Sequence, residues 1–187
     1  MKKSDRYRKA LEFATIAHEG AFRKGTDIPY ITHPIEAAEI VSGMTDDEDV
    51  IIAALLHDVA EDTSYTLDDI RERFGDRVAE LVSEETENKR HGQSAADTWY
   101  IRKKETLDHL RNASTEVKML AIADKLSNMR LSHAKYIEKG AAMWECFNQK
   151  DPGKQEWYYK GIAEATSELK ETKEWQEYMN LCNEVFG

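Results

Sequence analysis

The sequence contains few residues that interrupt regular structure, with three prolines and nine glycines among 187 residues. A fold of many short strands needs many turns, and turns are rich in these two residues. Their scarcity argues against a many-turned β architecture and favours long helices. No apolar run approaches the length that spans a bilayer, and none follows the charged first residues as it would in a secretory signal. We therefore expect a cytoplasmic protein without a membrane segment.

Positive charge is also scarce, because 26 Lys and Arg residues stand against 36 Asp and Glu residues, for a formal net charge of −10. A surface this acidic does not attract nucleic acid polymers or anionic membranes, so we expect neither as a partner. An anionic ligand would need a bound cation and local basic residues. The two cysteines, Cys146 and Cys182, lack metal-site spacing. We expect free thiols in a reducing cytosol, with a disulfide between them as the open alternative.

Apolar residues recur at helical spacing through most of the chain and predict an all-α fold, a helical bundle with additional C-terminal helices. The predicted helices cover residues 4–18, 34–43, 45–62, 66–74, the region around 78–82, 97–112 and 115–138, and two more follow residue 152. The predicted helix starts are marked by capping boxes at 45–48 and 66–69, by Pro34 as a first helical residue, and by caps at Ser114 and Asp151. Gly75 marks a predicted helix end. The polar stretch 84–96 is predicted as a mobile loop.

We interpret residues 1–187 as one domain, with a core of about 5–138 and a C-terminal helical extension of about 139–187. The extension is expected to pack on this core or to cover part of a cleft in it. The oligomeric state stays open at this point, with a homodimer as one alternative.

Four polar residues follow the wholly apolar run 50–56: His57, Asp58, Glu61 and Asp62. At 100° per residue they project from one side of a helix. Three carboxylates and an imidazole at the end of a buried helix would be costly to bury without a counter-charge, and a divalent cation supplies one. The alternative is an acidic helix end that faces solvent.

Two further positions fit the same chemistry. Asp124 lies in the apolar stretch 119–123, with Asn128 four residues later on the same helix face. The alternative for Asp124 is an ion pair with an Arg inside the core. His33 stands just before the helix that begins at Pro34, where its side chain can face inward, although a histidine there is commonly a cap or surface residue.

In this order, His33, His57-Asp58 and Asp124 resemble the H…HD…D signature of the HD superfamily. The surrounding blocks resemble the hydrolase domain of RelA/SpoT homologues, and they are Arg23-Lys24, residues 29–34, 53–63, 74–75 and 123–130. The similarity covers about residues 5–135. Because the sequence has no synthetase or regulatory region, it is most similar to the stand-alone small alarmone hydrolases.

This resemblance implies an enzyme that removes the 3′-pyrophosphate from ppGpp or pppGpp and gives GDP or GTP and pyrophosphate. It implies one divalent ion, Mn²⁺, held by His33, His57, Asp58 and Asp124. It also implies that Glu61 and Asp62 position or deprotonate the attacking water. For the small nucleotide substrate it implies phosphate contacts from Arg23 and Lys24 and a nucleotide contact from Asn128.

The sequence departs from the family pattern in residues 83–89, where the family commonly has a Gly-Val-Thr-Lys type of sequence; Thr86 and Lys89 are the residues that could keep part of it. Ser127 also stands where the family often has a bulkier residue. The basic run 102–104 offers Lys103 as an additional substrate contact, with a solvated helix face as the alternative. The histidines His18, His91, His109 and His133 are interpreted as structural or exposed, and His18 as a satisfied core residue.

Two other functions stay open from the sequence. The first keeps the metal centre but acts on another small nucleotide, either a 5′-mononucleotide or the 2′-phosphate of NADPH, and the altered 83–89 segment motivates it. The second is a nucleotide-sensing HD module that binds without cutting. The full set of metal ligands together with Glu61 and Asp62 argues against the second alternative.

Overall fold

The computed structural model describes residues 4–88, 90 and 92–187, and within these residues it contains helices and no strand. One isolated antiparallel bridge joins Phe22 and Pro29. The all-α prediction is therefore confirmed. The chain forms two compact units that are contiguous in sequence, one ending at Thr86 and the other beginning at Glu87. The division into a core and a C-terminal extension stays a prediction. None of the described helices has both the length and the apolar character that crossing a membrane requires.

The first unit is built around one buried helix. Its helices are α1 Asp5–Ala17, α2 Thr32–Val41, α3 Glu48–Leu56, α4 Val59–Asp62, α5 Leu67–Phe74 and α6 Asp76–Glu85. Every residue of α3 from Val50 to Leu56 is buried, and α1, α2 and α6 all pack against it. A helix that is apolar on every side belongs in the middle of its unit, as the sequence pattern predicts.

Several boundaries of these helices lie where the sequence predicts them, at capping side chains or at a glycine. The Thr66 side chain accepts from the Asp69 backbone while Asp69 accepts from the Thr66 backbone, so the predicted capping box is present. Gly75, with φ of 96°, joins α5 directly to α6, and only glycine adopts this conformation readily. The other predicted box is wrong: α3 is capped by Asp47, whose side chain accepts from the Asp49 backbone.

Two predicted helix boundaries at the site are also wrong. The helix predicted over 45–62 is interrupted after Leu56. Residues 57 and 58 form a turn, with Asp58 at φ −89° and ψ −6°, before α4 begins at Val59. Helix α2 begins at Thr32, two residues before the predicted start at Pro34. Proline is tolerated there because the first turn of a helix has no acceptor for its N–H groups. His33 therefore lies inside the first turn of α2.

The second unit contains α7 Trp99–Leu110, α8 Thr115–Lys139, α9 Pro152–Ala165 and α10 Lys173–Phe186, with short 3₁₀ segments at Gly140–Cys146 and Ser167–Leu169. Helix α8 packs against α9 and α10, and α7 packs against α9. The predicted caps are confirmed: Ser114 accepts from the Val117 backbone, and Asp151 accepts from the backbone just after Pro152. These local signals begin α8 and α9.

Polar pairs and aromatic rings hold α10 in place within the second unit. Arg130 donates two hydrogen bonds of 2.7 Å to the Glu177 carboxylate, and His133 lies 2.6 Å from Glu184. Phe186 stacks on Trp144 with centroids 5.5 Å apart. Both cysteines are free thiols, as predicted, and burial raises the pKa of Cys182 to about 12. The Cys182 thiol is therefore protonated and unreactive at neutral pH.

Candidate metal centre

Three of the predicted ligands meet in the first unit, where α2 and the α3–α4 junction come together. His33 and His57 are 2% and 5% exposed, and the rings lie 5.1 Å apart. The Oδ2 atom of Asp58 lies 3.5 Å from Nε2 of His33 and 3.0 Å from Nε2 of His57. The interruption of the helix after Leu56 places His57 and Asp58 at the start of a new turn rather than along one continuous helix face.

The protonation of His57 follows from its backbone contact. Its Nδ1 atom lies 2.7 Å from the carbonyl oxygen of Ala54. A carbonyl oxygen only accepts hydrogen bonds, so Nδ1 carries a proton, and in the neutral ring Nε2 carries the lone pair. That lone pair faces the Asp58 carboxylate, which is also an acceptor. A cation between the two atoms turns this repulsion into attraction, and a hydrogen bond from Nδ1 to a carbonyl is the usual way to orient a ligating imidazole.

The spacing of these atoms fits a divalent transition metal. Two ligand atoms that bind one cation at about 2.1 Å lie roughly 3 to 3.4 Å apart in octahedral or tetrahedral geometry. The two imidazole-to-carboxylate distances are 3.0 and 3.5 Å, and ligand atoms of all three residues lie within 4.8 Å of one another. Two imidazoles with one carboxylate suit Mn²⁺, Fe²⁺ or Zn²⁺. The donor set therefore fits a metal ion.

Tyr30 and His18 line this centre, and the sequence prediction assigned neither to the site. The Tyr30 hydroxyl donates to Asp58 Oδ2 at 2.6 Å. Its ring lies 4.9 Å from the His18 ring and 5.7 Å from the His33 ring, measured between centroids. The prediction of a satisfied core histidine is wrong for His18, because its buried Nε2 atom has no hydrogen-bond partner among the described residues. Burial lowers the pKa of His18, partly offset by Asp58 and by Asp62.

The two predicted catalytic carboxylates lie on α4, directly after the ligand pair. Glu61 is half-buried and Asp62 is exposed, so both side chains are accessible from solvent to different degrees. Asp62 Oδ2 lies 3.5 Å from the Tyr30 hydroxyl, which is the same hydroxyl that contacts Asp58. The structure thus brings Asp62 to the edge of the three-residue cluster, while the catalytic role of both carboxylates stays a prediction.

The basic pair predicted to hold phosphate lies in the loop between α1 and α2. This loop is a narrow hairpin, because Arg23 donates its backbone N–H to Ile28 at 2.8 Å and Tyr30 donates to Ala21 at 2.9 Å. The Arg23 side chain is buried, 3.7 Å from Glu36, whereas Lys24 is exposed. Arg23 is therefore positioned by an acidic neighbour, and the phosphate contacts stay predictions.

The fourth predicted ligand, Asp124, lies in the second unit near the middle of α8. Its buried carboxylate is paired with Lys125 and accepts a hydrogen bond of 2.6 Å from Asn128. The cation that contacts Asp124 is the neighbouring Lys125, whereas the alternative considered from the sequence was an Arg. Sequence analysis missed Lys125, although its position next to Asp124 was visible. Asn128, predicted to contact nucleotide, orients Asp124 in this structure.

The basic run 102–104 is less exposed than a solvated helix face. Lys103 donates to Glu87 at 2.7 Å and lies 5.0 Å from the centre of the Tyr158 ring, and Arg102 also pairs with Glu87. Only Lys104 is on the exposed side, paired with Asp108. The solvated-face alternative is therefore wrong for Arg102 and Lys103. A substrate contact from Lys103 would have to replace its bond to Glu87.

The remaining predictions concern isolated residues. His109 is exposed and His133 pairs with Glu184, in agreement with structural or surface roles. Thr86 donates its hydroxyl to the Val82 carbonyl at the end of α6. Lys89 and His91 lie outside the described residues.

Comparison with known proteins identifies the family. Residues 10–148 match the family model described as HD domain, so the chain belongs to the HD domain family. A Drosophila melanogaster protein named guanosine-3′,5′-bis(diphosphate) 3′-pyrophosphohydrolase MESH1 is 34% identical over 130 residues, which cover 68% of this chain and 69% of the relative. A Haemophilus influenzae protein named guanosine-3′,5′-bis(diphosphate) 3′-pyrophosphohydrolase is 37% identical over 122 residues. The recognition of this hydrolase family from sequence blocks is confirmed.

The share of each relative that matches differs widely. The chain covers 17% of the Haemophilus influenzae protein and 15% of a Mycobacterium leprae relative. Among solved structures, one described as a metazoan orthologue of SpoT that hydrolyses ppGpp has a TM-score of 0.75 at 25% identity, covering 98% of this chain and 97% of that one. A structure from Listeria monocytogenes EGD-e has a TM-score of 0.74 at 35% identity, covering 87% of this chain and 100% of that one.

Proposed function

We propose that this protein is a metal-dependent hydrolase that removes the 3′-pyrophosphate from ppGpp or pppGpp. The observation that carries the proposal is the orientation of His57, whose Nε2 atom faces the Asp58 carboxylate at 3.0 Å while Nδ1 lies against a backbone carbonyl. The substrate follows from the relatives, whose names specify guanosine-3′,5′-bis(diphosphate) 3′-pyrophosphohydrolase activity. An acidic protein with a net charge of −10 also needs a bound cation to hold such an anion.

The proposed metal is Mn²⁺, with His33, His57 and Asp58 as ligands and Asp124 as the fourth. When bound, a divalent ion neutralises phosphate oxygens and lowers the pKa of a coordinated water. Glu61, half-buried and four residues after His57, is proposed to take the proton of the attacking water, and Asp62 is proposed to orient that water. Water adds to the phosphorus attached to the 3′ oxygen, the bond between that phosphorus and oxygen breaks, and the 3′ oxygen takes a proton as pyrophosphate leaves.

The basic residues are proposed to bind the nucleotide. Arg23 has the forked guanidinium that matches a phosphate, and Lys24 adds an exposed point charge beside it on the same hairpin. Asn128 is proposed to contact the nucleotide while it holds Asp124. Lys103 is proposed to reach a phosphate only by exchanging its bond with Glu87 for one with the substrate.

The decisive experiment incubates the purified protein with ppGpp and Mn²⁺ and separates the products by anion exchange. We expect GDP and pyrophosphate, loss of turnover after chelation, and recovery when Mn²⁺ is returned. Asp58→Ala should lower kcat/KM by about a thousandfold, since metal assistance contributes several kcal/mol to the barrier. Asp68→Ala, at an exposed acidic residue of the same unit, is the matched control and should retain full turnover.

The same measurement on a nucleotide panel tests the alternative substrates. Release of orthophosphate from NADPH or a 5′-mononucleotide, with ppGpp left intact, would select the nucleotide phosphatase instead. Turnover of ppGpp that is insensitive to both chelator and Asp58→Ala would reject the metal mechanism. Binding of ppGpp without any product after long incubation would support a sensing module.

A further inference from the structure

The Tyr30 hydroxyl occupies a distinctive place in the first unit, between two carboxylates. It lies 2.6 Å from Oδ2 of Asp58 and 3.5 Å from Oδ2 of Asp62. A phenol has one proton to donate, and the shorter distance assigns that proton to Asp58. The accepting Oδ2 is the same atom that faces the Nε2 atoms of both histidines. The hydroxyl therefore contacts the same carboxylate oxygen that the two imidazoles face.

The backbone around Tyr30 is fixed on both sides. Its N–H donates to Ala21 at 2.9 Å, which closes the hairpin, and its carbonyl accepts from the backbone of His33 at 2.9 Å at the start of α2. The Tyr30 ring packs between His18 and His33. The hairpin, the first turn of α2 and the two imidazole rings thus leave little freedom to the hydroxyl. A hydrogen bond from a fixed donor orients the carboxylate that accepts it.

We propose that Tyr30 is a positioning residue, whose hydroxyl holds the Asp58 carboxylate in the orientation that binds the metal ion. This inference rests on the proposed metal site and adds a residue to it. Without this donor the Asp58 carboxylate loses one of the hydrogen bonds that restrain its terminal torsion. Removing a hydrogen-bond partner of a metal ligand typically weakens metal affinity by about ten- to a hundredfold.

The test compares Mn²⁺ affinity in the wild type, Tyr30→Phe and Tyr65→Phe, measured from the EPR signal of free Mn²⁺ during titration of the full chain. Phenylalanine keeps the ring contacts with His18 and His33 and removes only the hydroxyl. Tyr65 lies in the same unit, 4.7 Å from the Phe13 ring between centroids, and its variant removes the same atom. We expect Tyr30→Phe to raise the Mn²⁺ dissociation constant about ten- to a hundredfold, and Tyr65→Phe to leave it unchanged.

Two further readouts separate positioning from a purely structural role. At limiting Mn²⁺ the Tyr30→Phe enzyme should turn over ppGpp slowly, and saturating Mn²⁺ should restore most of kcat with little change in KM. If Tyr30→Phe also lowers the unfolding midpoint of the metal-free protein, that loss should disappear in an Asp58→Ala background, because this background lacks the carboxylate that accepts from the hydroxyl.

Each outcome decides between the two proposals. Equal Mn²⁺ affinity in the wild type and Tyr30→Phe overturns the role of Tyr30 and leaves the metal site standing. A wild type that does not bind Mn²⁺ overturns both. Mn²⁺ binding that depends on Tyr30, in a protein that leaves ppGpp intact, supports the positioning role and rejects only the substrate.

Discussion

The carboxylate of Glu87 lies 2.7 Å from the ammonium of Lys103, and both side chains are at most 20% exposed. Glu87 also pairs with Arg102, so one acidic residue satisfies two basic ones within the second unit. Glu87 belongs to the segment 83–89, in which the sequence departs from its family, whereas Lys103 lies on α7. Because Glu87 pairs with Arg102 and Lys103, these two basic residues form an internal ion-pair cluster rather than an exposed surface that could attract phosphate.

Replacing Glu87 with Gln should destabilise the second unit, because it leaves two partly buried cations with a neutral partner. We expect a loss of about 1–3 kcal/mol in the free energy of unfolding, measured by urea denaturation. Asp108→Asn is the control, since its pair with Lys104 is solvent-exposed and should contribute little to the free energy of unfolding. Equal effects of the two substitutions would contradict the buried character of the Glu87 cluster.

The same pair predicts a pH dependence. Burial raises the pKa of Glu87, but Lys103 and Arg102 outweigh it and hold the pKa below the ordinary value of 4.5. The unfolded chain therefore takes up a proton at a higher pH than the folded one. The stabilisation from Glu87 is complete above about pH 4.5 and is lost as the pH falls through the lower folded pKa. Wild type and Glu87→Gln should differ in unfolding free energy at pH 7 and converge in acid; a constant difference would contradict this.

A close approach between α7 and α9 gives a prediction about packing. A Cβ added at Gly161 would lie 2.7 Å from Cδ1 of Leu107, which is itself buried. Gly161→Ala should therefore cost about 1–3 kcal/mol through overpacking. Gly153→Ala on the same helix meets its nearest atom only at 3.4 Å and should be close to neutral. Shortening Leu107 to Val in the Gly161→Ala background should recover part of the loss in thermal unfolding experiments.

Asn128 gives a prediction that separates two roles. Its amide donates to the buried Asp124 carboxylate at 2.6 Å. Asn128→Ala should lower the free energy of unfolding by about 1–3 kcal/mol, because a charged acceptor loses a donor. If Asn128 also contacts the nucleotide, KM for ppGpp rises as well. A stability loss with unchanged KM would restrict Asn128 to orienting Asp124.

Features set by neighbouring residues were predictable from the sequence. The burial of α3 followed from its unbroken apolar run, and the caps at Ser114 and Asp151 followed from side chains that bond their own backbone two or three residues later. The convergence of His33 with His57 and Asp58 followed from the family blocks rather than from spacing. Family likeness carried this prediction where local physical chemistry could not.

Features set by contacts between distant segments were not predictable. Tyr30 lies in the family-like block 29–34, but its bond to Asp58 spans 28 positions and depends on how the hairpin lies against the start of α4. Glu87 and Lys103 both carried visible charges, yet nothing in their spacing identified them as partners. The end of α3 was missed because neither glycine nor proline stands at residues 57 and 58 to mark the interruption.

The bracing of α8 by α10, through Arg130 with Glu177 and His133 with Glu184, has a consequence for synthesis. The ribosome makes the helix that carries Asp124 well before residues 173–186, so α8 leaves the exit tunnel with its partner still missing. A nascent chain paused between these helices should lack Glu177 and Glu184, so the face of α8 that carries Arg130 and His133 should be completed only once α10 has emerged.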